Sequence, residues 1–211
     1  MTKVISFISQ KGGVGKSTLA RALAVELANR NFSVKLVDLD YQQKTIFDWF
    51  QIRSAQKLPT NFSVELCQHA SQAIIPNYSL DFIIIDGPAR SSQGTLFLAQ
   101  NSDLIIQPTS ASRDDLVPAL REFNSLVKAN IFKSKLYFFL NHVSNSAEET
   151  TTREFIQQNG YLVFTGFLPE RASYRQAHNE GKTIHEVNFT SLRERSSLLI
   201  NSIITKLTKE T

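Results

Sequence analysis

This chain of 211 residues carries one cysteine, one methionine and one tryptophan. The lone cysteine, Cys67, excludes an internal disulfide framework and any cage built from several thiolates. A reducing, cytoplasmic compartment fits it. The four histidines, His69, His142, His178 and His185, fall at no metal-ligand spacing, so structural or surface roles are expected of them. No apolar run approaches membrane length: Phe82–Ile85 and Tyr137–Leu140 are strand-sized. The N-terminus lacks the shape of a signal peptide, because a glycine-rich segment arrives before an apolar region develops. Internal repeats, linkers and low-complexity tracts are also missing. What remains is 42% hydrophobic and 20% charged, the balance of an ordinary globular chain. The length suits a single domain over residues 1–211. A net charge of +4 favours an anionic partner without identifying it.

The glycines are few, eight in all, yet Gly12, Gly13 and Gly15 stand almost together in Gln10–Thr18, Q-K-G-G-V-G-K-S-T. The apolar run Val4–Ile8 precedes this stretch and a helical pattern from Leu19 to Ala28 follows it. Strand, glycine-rich loop, helix is the setting of a phosphate-binding P-loop. Glycines let backbone N–H groups turn inward, and the positive end of the new helix adds to the anion site. Lys16 is expected at the β and γ phosphates, and Ser17 at Mg²⁺. The standard motif G-x-x-x-x-G-K-[ST] begins with glycine; here Gln10 takes that place and Lys11 follows it. A second ammonium beside a triphosphate either neutralises charge or is a solvated loop lysine.

Strand-like and helical stretches alternate along the chain. Strands are expected at Val4–Ser9, Val34–Val37, Phe62–Leu66, Phe82–Asp86, Leu104–Gln107, Lys135–Asn141 and Val163–Leu168. Gly87-Pro88 and Pro108 are expected to end two of them. Helices are expected near Gln42–Gln56 (anchored by Ile46, Trp49, Phe50 and Ile52), Ser71–Ile75, Gln93–Gln100, Ser112–Ala129, Glu148–Gln158, Ser173–Asn179 and Ser191–Lys206. The pattern predicts a doubly wound, mostly parallel α/β sheet with helices on both faces. Ligands of such sheets bind at the carboxyl ends of strands, where Asp38, Asp40, Asp86 and Asn141 fall. Asp86 ends an apolar strand, where a carboxylate can hold Mg²⁺ through water opposite Ser17, or cap the next turn. Gly87 then offers a backbone N–H to a γ-phosphate. Asp38 and Asp40 are two residues apart, on one face of their strand, and a carboxylate there can position an attacking water.

K-G-G-V-G-K-S-T resembles the deviant P-loop of the ParA/MinD family of ATPases, and the resemblance spans essentially the whole chain. It implies ATP and Mg²⁺ as cofactors, held by Lys11, Gly12, Gly13, Val14, Gly15, Lys16, Ser17 and Thr18. It implies that Lys11 reaches the partner's ATP across a homodimer, that Asp40 orients the attacking water, and that Asp38 supports the Mg²⁺ shell with Ser17 and Asp86. The family's D-x-D-P-Q reads Asp38-Leu39-Asp40-Tyr41-Gln42 here, with tyrosine in place of proline. Asn141 matches an asparagine that reads adenine, and Leu168-Pro169-Glu170 a segment that lines the base. The chain is similar to the short ParA branch without a helix-turn-helix domain, whose members move plasmids or space carboxysomes. The implied function is an ATP-bound dimer on nucleoid DNA, released when a small adaptor of the ParB or McdB type stimulates hydrolysis.

Candidate DNA contacts are Arg171, Arg175, Lys182, Arg193 and Arg195, with Lys206 and Lys209 behind them. Basic residues on helices are also commonly just solvated, and Glu170, Glu180 and Glu194 interleave with these. Two other readings stay open. Leu192, Leu199, Ile203 and Leu207, widened by Ile200 and Ile204, form an apolar stripe that either anchors a MinD-like ATPase to a membrane or packs on the sheet. A cobyrinic acid a,c-diamide synthase-like amidotransferase would need a glutaminase nucleophile, and Cys67 lies outside any elbow motif.

Overall fold

The computed structural model describes residues 1–74, 79–89 and 92–208; Ile75, the expected end of the helix Ser71–Ile75, and the candidate contact Lys209 lie outside them. Seven strands form one sheet: β1 (Lys3–Ser9), β2 (Val34–Asp38), β3 (Ser63–Leu66), β4 (Phe82–Ala89), β5 (Leu104–Thr109), β6 (Leu136–Asn141) and β7 (Leu162–Leu168). Their order is β3-β2-β4-β1-β5-β6-β7, and every pair is parallel. The connection from β1 runs to β2 on one side and that from β4 passes β1 to β5 on the other, so a crevice opens at the carboxyl ends of the central strands. The helices are α1 (Lys16–Asn29), α2 (Thr45–Ala55), α3 (Ala70–Ala73), α4 (Ser92–Asn101), α5 (Arg113–Lys128), α6 (Ser146–Gln158), α7 (Ala172–Asn179) and α8 (Thr190–Thr208).

Alternation along the buried strands feeds two cores. Phe82 and Ile84 point to one face with α1, α2, α7 and α8; Ile83 and Ile85 point to the other with α3 to α6. Leu199, Ile200, Ile203, Ile204 and Leu207 of α8 are at most 3% exposed, so packing on the sheet consumes the stripe. No helix among the described residues is long and apolar enough to cross a membrane.

The prolines do not end their strands. β4 runs through Gly87-Pro88 because an extra residue bulges there: Phe7 pairs with Asp86, and Ser9 already with Ala89. β5 runs through Pro108 because its pairing with β1 ends at Ile106, whereas its β6 side continues to Thr109. The helix expected from Gln42 starts only at Thr45, since Lys44 is left-handed (φ 51°). On α2, Ile52 is 38% exposed and Arg53 is fully buried. Arg53 is bound to Glu186 (2.8 Å), Gly181 O (3.0 Å) and Pro59 O (2.8 Å). These partners lie in loops, which an apolar periodicity does not register.

Candidate nucleotide site

The loop between β1 and α1 turns through two left-handed glycines, Gly13 (φ 77°) and Gly15 (φ 106°). A Cβ on Gly15 would collide with the Asn141 side-chain amide, which donates from Nδ2 to Val14 O at 2.7 Å. Asn141 therefore braces the loop from the end of β6. Two residues of α5, unremarked in the sequence except as acids in or beyond a first turn, hold the start of the loop. Asp115 pairs with Lys11 Nζ at 2.7 Å and accepts Ser110 Oγ at 2.6 Å. Burial alone would raise the Asp115 carboxyl; those hydrogen bonds and the Lys11 charge bring it below its usual value. Lys11, expected to act across a dimer, is thus engaged within its own chain. Glu122 accepts the Gln10 backbone N–H.

Ser17 Oγ donates to Asp86 Oδ2 at 2.5 Å. Asp86 is 2% exposed and its Oδ1 is buried with no partner. Burial pushes its carboxyl up to about 7, against the opposing pull of the Ser17 hydrogen bond and the Lys16 charge. Lys16 is itself only 9% exposed. At Gly87 the strands come so close that a Cβ would lie 2.6 Å from Phe7 O. The Ser17 hydroxyl and the orphaned Asp86 oxygen fit a Mg²⁺ shell completed by phosphates and water.

Asp38 pairs with Asp86 in register, but its side chain does not stand free beside it. Oδ1 accepts Asp40 N (3.0 Å), and Oδ2 accepts Ile46 N (2.9 Å) and Phe47 N (3.3 Å). Fully buried, it satisfies the first N–H groups of α2, and burial raises its pKa. The expectation that Asp38 and Asp40 share a face is corrected: β2 ends at Asp38, so period two no longer holds at Asp40. Asp40 lies on the loop, partly exposed, with Oδ1 accepting Gln43 N at 3.1 Å. Arg21, one turn beyond Ser17, donates to Thr45 O (2.9 Å) and lies 5.3 Å from the Trp49 ring, tying α1 to the start of α2.

A pocket of about 270 Å³ runs from Gly13 and Thr18 past Asn141 to Pro169 and Glu170. Tyr174 and His178 of α7 line it too, and nothing in the motifs singled them out. Burial pushes the His178 imidazole down to about 4, so it is neutral at pH 7. A larger cavity, about 530 Å³, brings Arg171 and Arg195 together with Phe167 and Phe189. Arg195 stacks on Phe167 at 4.4 Å. The other basic candidates are scattered: Arg175 pairs with Glu170 (2.9 Å), Lys182 with Glu180 (2.7 Å), and Arg193 is exposed on α8.

Fold and loop define a P-loop α/β nucleotide-binding protein. The chain belongs to the CobQ/CobB/MinD/ParA nucleotide-binding domain family, whose model matches residues 5–184. It is 22% identical to Protein ParA of Rhizobium radiobacter, over 98% of each chain. It is 24% identical to the maintenance of carboxysome distribution protein A of Gloeobacter kilaueensis, over 91% of this chain and 88% of that one. Among solved structures, a putative plasmid partition protein (BB_S35) of Borrelia burgdorferi bound to AMPPNP has a TM-score of 0.75 at 22% identity, over 100% of both chains. At that identity the likeness establishes the fold.

Proposed function

We propose that this chain is a Mg²⁺-dependent ParA-type ATPase. With ATP it forms a homodimer and binds double-stranded DNA without sequence preference. It positions or segregates a cargo (plasmid, chromosome or carboxysome), and an adaptor of the ParB or McdB type stimulates hydrolysis. The observation that carries the reading is the Ser17–Asp86 pair behind a glycine loop, with Asp86 Oδ1 unspent. In the working site Lys16 neutralises the β and γ phosphates, and Gly87 N–H senses the γ-phosphate. Asp40 orients the attacking water; its side chain lies partly exposed on a loop with Oδ1 accepting Gln43 N–H, which suits a group that adjusts when nucleotide arrives. Magnesium held there would offset charge developing on the phosphates.

Lys11 would leave Asp115 to meet the partner's nucleotide. Its pair is half exposed (41% and 24%), so breaking it costs only about 0–1 kcal/mol. Asn141, with Nδ2 on Val14, retains its carbonyl oxygen for the adenine amino group. Arg171 and Arg195 are the strongest of the DNA candidates, because one cavity holds both. Protein on DNA would be nucleoid-associated and cytoplasmic. The buried stripe of α8 speaks against membrane anchoring by that helix, and Cys67, 4% exposed, speaks against a glutaminase nucleophile. The test is phosphate release from Mg-ATP by the wild type and by Lys16→Ala. Release that is metal-dependent and lost in the variant supports the reading; equal release contradicts it.

A further inference from the structure

Asp115 and Glu122 stand seven residues apart on α5, two helical turns, and so share one face. The first holds Lys11 Nζ; the second accepts Gln10 N–H and also Gln107 Nε2 at 2.7 Å. Beside that contact Gln107 Oε1 is buried with no partner. Glu122 is 5% exposed. The space between α5 and the loop, lined by Ser9, Gln10, Val14, Gln107 and Pro118, is about 10 Å³, the least that admits one water. At most one water can stand there to disperse a carboxylate's charge. Lys16 faces Glu122 from α1 and favours its ionised form. Lys11 on the loop is spent on Asp115, and β5 presents the neutral Gln107. Burial outweighs the Lys16 attraction and raises the Glu122 carboxyl to about 7.

Lys16 is also the residue that meets the phosphates. A polyphosphate there would draw on the positive charge that sustains the Glu122 anion and bring negative charge close behind it. Both effects disfavour the carboxylate. The neutral acid has a place for its proton: Gln107 Oε1 accepts it once the amide turns about its terminal torsion, a soft two-fold rotation.

We propose that Glu122 is a positioning residue for the polyphosphate: from behind the loop it fixes Gln10, beside Lys11, and it takes up a proton as the loop receives the nucleotide's charge. The proton comes from solvent, rests on a Glu122 carboxyl oxygen, and no covalent bond in the chain changes. The proposal rests on the reading that the loop binds ATP.

The experiment is titration calorimetry of ATP into the full chain at pH 7, in two buffers of different ionisation enthalpy. Wild type is compared with Glu122→Gln, which keeps shape and acceptor, and with Glu122→Leu, an apolar alternative should the first fold poorly. Asp86, also raised to about 7, responds alike in all three proteins, so Glu122 is read as a difference: the wild type takes up about half a proton more per nucleotide than either variant, while ATP still binds. A merely structural Glu122 would change stability or affinity but not the buffer dependence. Equal proton uptake in wild type and variants overturns the proposal. A wild type that binds no nucleotide overturns the nucleotide reading itself, so the two failures are distinguishable.

Discussion

Ser17 Oγ donates to Asp86 Oδ2 at 2.5 Å across 69 positions of sequence, joining the first residues of α1 to the middle of β4. The other Asp86 oxygen is buried without a partner. A folded chain that keeps an unsatisfied acceptor at its strand ends gives up stability there, and a metal shell recovers it.

Asp86→Asn tests that directly. Asp86 is raised from 3.8 to about 7 in the fold, burial being the main cause. Between those values the folded, metal-free chain holds a proton that the unfolded chain has released, so stability falls as pH rises through the interval. The asparagine variant escapes this loss. At about pH 8 it is more stable than metal-free wild type by about 1–3 kcal/mol in urea unfolding, and the gap closes toward about pH 4. Its magnesium affinity in the nucleotide complex drops about 10–100-fold. Parallel stability curves for the two proteins would show that Asp86 is not desolvated.

On the proposed function, Asp40→Ala keeps ATP binding and loses turnover by about 100-fold or more, because it would remove the group that positions water but no phosphate ligand. Nucleotide affinity and single-turnover hydrolysis, measured on one preparation, separate the two effects.

Lys11→Ala spares ADP binding and moves the unfolding midpoint little, since its pair with Asp115 is half exposed. Turnover and ATP-dependent self-association fall together. Full turnover in this variant would refute a role across the dimer.

Gly181→Ala destabilises the chain by about 2–4 kcal/mol, read from denaturant unfolding. Gly181 is left-handed (φ 72°), and a Cβ there would lie 2.6 Å from the backbone N and Cα of Arg53. Glu186→Ala is similarly severe, by about 3–5 kcal/mol, because it leaves the fully buried Arg53 without its carboxylate. Neither variant touches the loop, so residual folded protein retains ATP binding.

The sheet and the loop were legible because their signals are local: apolar runs of strand length, and glycines spaced before a lysine and a serine. Pro88 and Pro108 misled because tolerance of proline depends on which neighbour still pairs at that row, a fact held in other strands. Arg53 was missed and Ile52 overvalued for a related reason: the partners of Arg53 include Glu186 and Gly181, far along the chain. Asp38 looked like half of a carboxylate pair, but β2 ends at it, Oδ1 accepts Asp40 N, and Oδ2 accepts the first N–H groups of α2. No motif singled out Asp115 or Glu122; contacts with Lys11 and Gln10, more than a hundred positions away, give them their part in the site.

The central claim is ATP-dependent binding to DNA. Its most direct test is binding of Asp40→Ala to random-sequence duplex DNA with ATP, with ADP and with neither, over a range of salt. Binding is expected with ATP alone and weakens steeply with salt, with a log–log slope of about −5 if about six phosphates are contacted. Intact ATP affinity without DNA binding in any of the three conditions would contradict it.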